Sequence, residues 1–110
     1  MSYDIIPLPF FERQLKRLVK KYPSIRQEYA TLIALLENDP EQGTALGNDC
    51  YKIRLAIASK GKGKSGGARI VTLVVHNNES VYLLSIYDKS EQENITDKEL
   101  QALVKAAKAL

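Results

Sequence analysis

The spacing of hydrophobic residues along the chain predicts three amphipathic helices. Apolar residues recur three or four positions apart over 10–22 and again over 25–38, with basic or polar residues between them. Pro23 separates these two segments, so we expect them to pack as a helical hairpin. The same spacing returns after Thr96 and predicts a third helix at the C-terminal end.

Two of these helices are preceded by residue pairs with the spacing of a capping box. Ser24 and Gln27 stand before the second helix, and Thr96 and Glu99 stand before the third. In such a box each side chain binds the other residue's backbone N–H group. We therefore expect both helices to begin at these positions.

Alternating or continuous apolar residues predict the β-strands. Lys52 and Arg54 alternate with apolar neighbours, which is typical of a strand with one buried face. Glycine and asparagine over 41–49 indicate a loop, and 77–79 indicates a tight turn. The predicted strands cover 3–8 (an edge strand, because it contains Pro7), 50–58, 68–76 (a central strand) and 80–87.

The order of these elements predicts an α+β fold. It consists of an antiparallel β-sheet with an N-terminal helical hairpin and a C-terminal helix, and we expect the helices to pack on one face. A length of 110 residues suits a single domain over 1–110.

Composition excludes several classes of protein. With one cysteine and one histidine, the chain can form neither an internal disulfide nor a zinc site of the usual thiolate and imidazole ligands. No apolar run approaches the ~20 residues of a membrane span. The first ten residues contain an acidic residue and two prolines and lack a basic region before an apolar stretch, so they make a poor signal peptide. We therefore expect a cytoplasmic protein that needs no metal or other cofactor and does not associate with membranes.

The basic charge is concentrated in one segment of the chain. Between Cys50 and Arg69 there are six basic residues and no acidic one, whereas the other positions carry 10 basic and 13 acidic residues. This asymmetry indicates a local binding site for an anionic partner. The six are Lys52, Arg54, Lys60, Lys62, Lys64 and Arg69.

The predicted strands bring two of these arginines together. Arg54 lies on the polar face of its strand and Arg69 begins the next strand, so both guanidinium groups can reach one surface. Guanidinium groups match phosphate oxygens, which favours a phosphate-binding surface over a hairpin whose lysines only aid solubility. A P-loop is disfavoured, because Ala58 occupies a required glycine position and a strand follows Lys64 and Ser65.

Other side chains that could carry chemistry have open roles. An odd number of positions separates Tyr82 from Tyr87, which predicts that they face opposite sides of the sheet. Tyr87 either belongs to the core or, at the strand end, stacks on a base or transfers a proton. We expect His76 to be structural or solvated. Cys50 should be a small packing residue, because no histidine is placed to activate it.

Four segments resemble toxins of the RelE/ParE superfamily, in particular the HigB-like branch. They are FFERQLKRLVKKYPS (10–24), DCYKIRL (49–55), KGKGKSGGARIVTLVV (60–75) and YLLSIYDKSEQENIT (82–96). The resemblance implies a ribosome-dependent mRNA endonuclease, or mRNA interferase, that inhibits translation without a metal. It also implies a cognate antitoxin as partner, which we expect to be a helix-turn-helix protein.

The resemblance also implies roles for individual residues. Lys52 and Arg54 match strand positions that carry basic catalytic or RNA-binding groups, and Arg69 matches the arginine that contacts the scissile phosphate. Tyr87 and Lys89 fall where the superfamily places C-terminal site residues. Four lysines are expected to bind RNA: Lys52, Lys60, Lys62 and Lys64. The roles of Lys62 and Lys64 rest on charge alone. A gyrase-directed toxin and a non-enzymatic nucleic-acid-binding module remain alternatives, because one fold serves several targets.

Overall fold

The computed structural model describes residues 2–60 and 66–110. Within these residues the chain forms a five-stranded sheet and three α-helices, which confirms the α+β prediction. In chain order the elements are β1 (Asp4–Pro7), α1 (Pro9–Lys21), α2 (Ile25–Asn38), β2 (Thr44–Gly47), β3 (Cys50–Leu55), β4 (Ala68–Val75), β5 (Ser80–Asp88) and α3 (Asp97–Lys108).

The strands lie in the order β1-β5-β4-β3-β2. Strand β4 is central and β1 is an edge strand, both as predicted. Strand β1 runs parallel to β5, and the other neighbours are antiparallel. Proline is tolerated in β1 because an edge strand leaves one side of its backbone unpaired.

The prediction that 41–49 is only a loop is wrong, because this segment contains β2. Strand β2 pairs with β3 through a tight turn in which Asn48 and Asp49 have φ angles of 53° and 63°. Asparagine and aspartate tolerate this left-handed conformation, which two-residue hairpins require. The composition that indicated a loop therefore marks the turn of a β-hairpin.

The expectation that the helices share one face of the sheet is also wrong. Ile53 faces the N-terminal helical hairpin, and it lines a groove together with Leu32 of α2. Cys50 lies three positions earlier in β3 and so faces the other side, where it lines a cavity with Val104 of α3. Helices on both faces explain why β4 and β5 are buried along nearly their whole length. We name these the hairpin face and the α3 face.

A β-bulge changes the orientation of side chains in β5. Val71 pairs with Ser85 and the next residue, Thr72, pairs with Leu83, so Leu84 is an extra residue in the ladder. The bulge reverses the alternation, and the register then places Tyr82 and Tyr87 on the same face. The prediction that they face opposite sides is therefore wrong.

The two predicted capping boxes have different outcomes. Thr96 and Glu99 form both reciprocal bonds, as predicted. Ser24 makes no capping bond to α2. Its Oγ lies 2.7 Å from the Ser59 Oγ and accepts a bond from the Ser59 N–H at 3.0 Å, so it connects the start of α2 to the segment after β3. This tertiary contact replaces the local cap.

We predict that Gly67→Ala destabilises the fold by about 2–3 kcal/mol, because overpacking at a rigid contact forces the backbone to move. A Cβ atom at Gly67 would overlap the Leu55 carbonyl oxygen, where β3 passes closest to the start of β4. Urea unfolding measures the effect.

Gly47→Ala is the matched control, because a Cβ there meets no atom within 4 Å although φ is 90°. It should cost only about 1 kcal/mol, the conformational penalty alone. Equal destabilisation of the two variants would show that the close approach at Gly67 is unimportant.

Candidate functional site

Three predicted site residues form a row across the sheet. Arg54 of β3 lies directly opposite Arg69 of β4, and Arg69 lies directly opposite Tyr87 of β5. Directly paired residues project from the same face of an antiparallel sheet. The register thus brings both guanidinium groups and the phenol to the α3 face.

The three residues differ sharply in their access to solvent. Arg54 is exposed, whereas Arg69 and Tyr87 are each only 3% exposed. The Arg69 Nη1 donates a hydrogen bond of 3.1 Å to the Ala68 carbonyl oxygen. An arginine stays protonated in a protein, so the row holds one accessible and one buried positive charge.

Lys52 lies two residues before Arg54 and therefore on the same face of β3. Its Nζ donates a hydrogen bond of 3.4 Å to the Asn94 Oδ1, which also accepts a bond from the Ile95 N–H at 3.0 Å. Asn94 thus holds the segment between β5 and α3 beside the cations. The sequence pattern did not single out Asn94, because its partner is 42 positions away.

The remaining predicted lysines lie at the end of the sheet or beyond the described residues. Lys89 is exposed and follows β5, and its N–H donates a bond of 3.0 Å to the Gly67 carbonyl, which continues the β4–β5 ladder. Lys60 ends a short 3₁₀ turn that begins at Ala58. Lys62 and Lys64 fall outside the described residues.

The environment of the Tyr87 hydroxyl keeps it protonated. The hydroxyl is buried and has no hydrogen-bond partner among the described atoms. Burial raises the pKa of Tyr87, Arg69 opposes this effect, and the negative charge of Glu99 raises the pKa further. A neutral phenol can donate a proton but is a poor base. Its ring is too buried to stack on a nucleobase, which was one of its predicted roles.

Glu99, like Asn94, lies near the row although the sequence pattern did not assign it to the site. The sequence pattern predicts its capping bonds with Thr96 but does not predict its proximity to Tyr87. The proximity arises because α3 lies across the face of the sheet that carries the row. Glu99 therefore both anchors the start of α3 and acts on the tyrosine.

A groove of about 480 Å³ lies beside Arg54, between α2 and β3. Both Arg54 and Lys52 line it. Leu35 contributes an apolar wall, and Thr31 and Gln42 contribute polar groups. The groove opens on the hairpin face, so it borders the exposed end of the row from the side of the sheet opposite α3.

His76 and Cys50 have structural surroundings. The His76 Nδ1 is hydrogen-bonded to the Tyr3 hydroxyl at 3.0 Å, and its Nε2 lies 3.0 Å from the Glu41 carboxylate. Cys50 is buried, and burial and the neighbouring Asp49 raise the pKa of its thiol. Both environments agree with the non-catalytic roles expected for these residues.

Residues 10–110 match the sequence model of the RelE toxin of the RelE/RelB toxin–antitoxin system. The chain belongs to the RelE toxin family. RelE toxins are metal-independent, ribosome-dependent mRNA interferases, and this protein is a toxin of a type II toxin–antitoxin system. The predicted RNA-directed function is thereby confirmed over the gyrase-directed alternative.

Solved structures of E. coli RelE share the fold of this RelE-family toxin. A double mutant of E. coli RelE in the free state is 22% identical, with a TM-score of 0.62 over 96% of this chain and 98% of that one. RelE in the intact E. coli RelBE complex is 19% identical, with a TM-score of 0.62 over 79% and 96%. The mutant bound to an antitoxin RelB peptide is 26% identical, with a TM-score of 0.52 over 88% and 98%.

The described part of the toxin contains neither a membrane-spanning helix nor a cluster of metal ligands. None of the helices in 2–60 and 66–110 is long and apolar enough to cross a membrane. In the same ranges no three His, Cys, Asp or Glu side chains are grouped as a metal site requires.

We predict that Glu99→Gln lowers the pKa of Tyr87, because the carboxylate that disfavours the phenolate is removed. Glutamine also fits the capping box, so α3 should remain anchored. Titration of ¹³C-labelled tyrosine by NMR measures the shift.

Asp97→Asn is the matched control, since Asp97 is also acidic and lies in the first turn of α3. It should leave the Tyr87 pKa unchanged. An equal shift in both variants would contradict a specific effect of Glu99.

Proposed function

We propose that this toxin cleaves ribosome-bound mRNA at the α3 face, with Arg54 and Arg69 stabilising the reacting phosphate. The observation that carries this proposal is the direct pairing of the two arginines on neighbouring strands. Fixed positive charges near a phosphate stabilise the extra negative charge of the transition state. They need no metal and no protein nucleophile.

The nucleophile is the 2′-hydroxyl of the RNA itself. Its oxygen attacks the adjacent phosphorus, the bond from phosphorus to the 5′-oxygen breaks, and a cyclic phosphate and a 5′-hydroxyl result. The proton released by the 2′-hydroxyl is balanced by one donated to the leaving oxygen. The protein's contribution is orientation, positive charge and proton transfer.

The different exposures assign different tasks to the two arginines. Arg54 is exposed, so it makes the first contact with the phosphate. Arg69 is 3% exposed and contributes its charge from the neighbouring strand. At this depth the charge is less screened by solvent and therefore acts more strongly.

The other site residues serve proton transfer and RNA binding. Tyr87 keeps a proton that it can donate, because burial raises its pKa, and its buried hydroxyl must become accessible before it reaches the leaving oxygen. Lys52 or Lys89 transfers the second proton. Lys60, Lys62 and Lys64 bind the RNA backbone by charge, and such phosphate contacts carry no sequence information.

We also propose that the toxin belongs to the HigB-like branch and is one domain over 1–110 that acts in the cytoplasm. Support comes from the lysine- and glycine-rich segment that joins β3 to β4. Its partner is a cognate antitoxin, as RelB is for E. coli RelE. In this branch we expect the antitoxin to carry a helix-turn-helix domain.

The neighbouring gene tests the proposed antitoxin. It should encode a small helix-turn-helix protein that restores growth when expressed together with the toxin and purifies with it as a complex. A neighbour of another DNA-binding class that gives the same rescue would contradict the HigB-like assignment.

Arg54→Ala should slow mRNA cleavage by roughly 10²–10³-fold, the effect seen when one charge-stabilising group is removed. Growth inhibition should disappear as well. Because Arg54 is exposed, the fold should be unchanged. Mapping of mRNA ends after induced expression measures cleavage, and thermal unfolding checks the fold.

Two further variants make this test specific. Lys105→Ala removes an exposed cation from α3 and should cleave like the wild type. Arg69→Lys keeps the buried charge but removes the planar guanidinium, so we expect an intermediate rate. Full cleavage by a folded Arg54→Ala variant would refute the proposed role of the row.

A further inference from the structure

Helix α1 carries a row of five basic residues that the proposed active site does not include. Over its turns they recur at intervals of three and four positions, so they lie along one side of the helix within an arc of about 140°. The row is about 12 Å long at the rise of an α-helix. It consists of Arg13, Lys16, Arg17, Lys20 and Lys21, and we name it the α1 basic stripe.

The stripe is fully available at the surface. All five residues are exposed, and the opposite side of α1 is anchored in the core by Phe11 and Leu18. No acidic residue lies within the stripe. A rigid helix therefore holds five positive charges towards solvent.

The acidic residue Glu91, from the segment after β5, forms ion pairs with the stripe. The Glu91 carboxylate lies 3.4 Å from the Arg17 Nη2 and 3.6 Å from the Lys21 Nζ. Both pairs are solvent-exposed, so they contribute little to stability. A stronger anion can displace Glu91 without harming the fold.

The end of the stripe that contains Arg17 and Lys21 lies close to the proposed cleavage site. Glu91 lies two positions after Lys89, in the segment that leaves the end of β5. Coulombic interactions with Glu91 and Asp88 both raise the pKa of Lys21, with a larger effect from neighbouring Tyr22. A phosphate backbone bound near Lys89 therefore has a second row of cations beside it.

We propose that the α1 basic stripe docks on the phosphate backbone of folded RNA in the ribosome. This inference rests on the proposed function and assigns a surface to the toxin's dependence on the ribosome. Closely spaced cations on a rigid helix bind phosphates without reading sequence. Protein interfaces instead depend on buried aromatic or apolar anchors, and the stripe itself has none.

An apolar groove beside the stripe indicates which other partner would compete with RNA for this surface. Leu15, Val19 and Tyr29 line this groove between α1 and α2, with Lys16 and Lys20 at its margin. An acidic segment of the antitoxin would use both the groove and these two lysines. The test therefore includes antitoxin binding as a separate measurement.

The test compares two triple variants of the full-length toxin. Arg13→Ala/Lys16→Ala/Lys20→Ala removes the three stripe residues that do not contact Glu91. Lys98→Ala/Lys105→Ala/Lys108→Ala removes three exposed cations from α3 and is the matched control. Both sets carry Arg54→Ala, so that binding is measured without cleavage.

Binding to purified E. coli ribosomes is measured by sedimentation over a series of salt concentrations. The stripe variant should bind about tenfold or more weakly at low salt, and its salt-dependence slope should fall by about three, one for each cation removed from the phosphate backbone. The control should bind like its Arg54→Ala parent. Glu91→Gln should strengthen binding about two- to threefold, because it frees Arg17 and Lys21.

Three results would overturn the inference. Two of them are equally weakened ribosome binding in both triple variants and unchanged binding in both. The other is normal ribosome binding by the stripe variant together with failure to bind the antitoxin, which would assign the surface to a protein. If the wild type fails to cleave mRNA but binds ribosomes through the stripe, only the proposed function fails.

Discussion

The antiparallel register of β3, β4 and β5 is the constraint on which the site depends. Ile53, Ile70 and Ile86 form a buried apolar row on the hairpin face, one position away from the row of Arg54, Arg69 and Tyr87. A slip of one residue would place cations in the apolar core and isoleucines under α3. Hydrophobic burial on one face therefore fixes the charges on the other.

Helix α3 packs on the α3 face of the sheet, so side chains under it on that face lie inside the protein. It covers Tyr87 and brings Glu99 near it, while Arg54 stays at the open edge beside β2. A buried arginine is costly unless its charge is compensated. The Ala68 carbonyl accepts a hydrogen bond from the buried Arg69, and the Glu99 carboxylate acts on Tyr87 at the same end of the row.

Helix α1 connects the core, the sheet edge and the outer surface. Its apolar side anchors the hairpin, and Gln14 accepts bonds from the Ile86 N–H at 3.0 Å and the Ser85 hydroxyl at 3.1 Å, beyond the point where β1 ends. The basic stripe lies on its remaining side. Because the helix is fixed to β5, its charges keep a defined position relative to the proposed active site.

Local patterns in the sequence determined the helices, four of the five strands, the cap at Thr96 and the candidate arginines. Each depends on residues close together in the chain. The sequence also predicted that Arg54 and Arg69 reach one surface. Tertiary structure alone decided the register that sets them directly opposite each other, the bulge at Leu84, the placement of α3 across the site and the burial of Tyr87. These depend on contacts between distant segments, and an amphipathic pattern shows that a face is buried without showing what covers it.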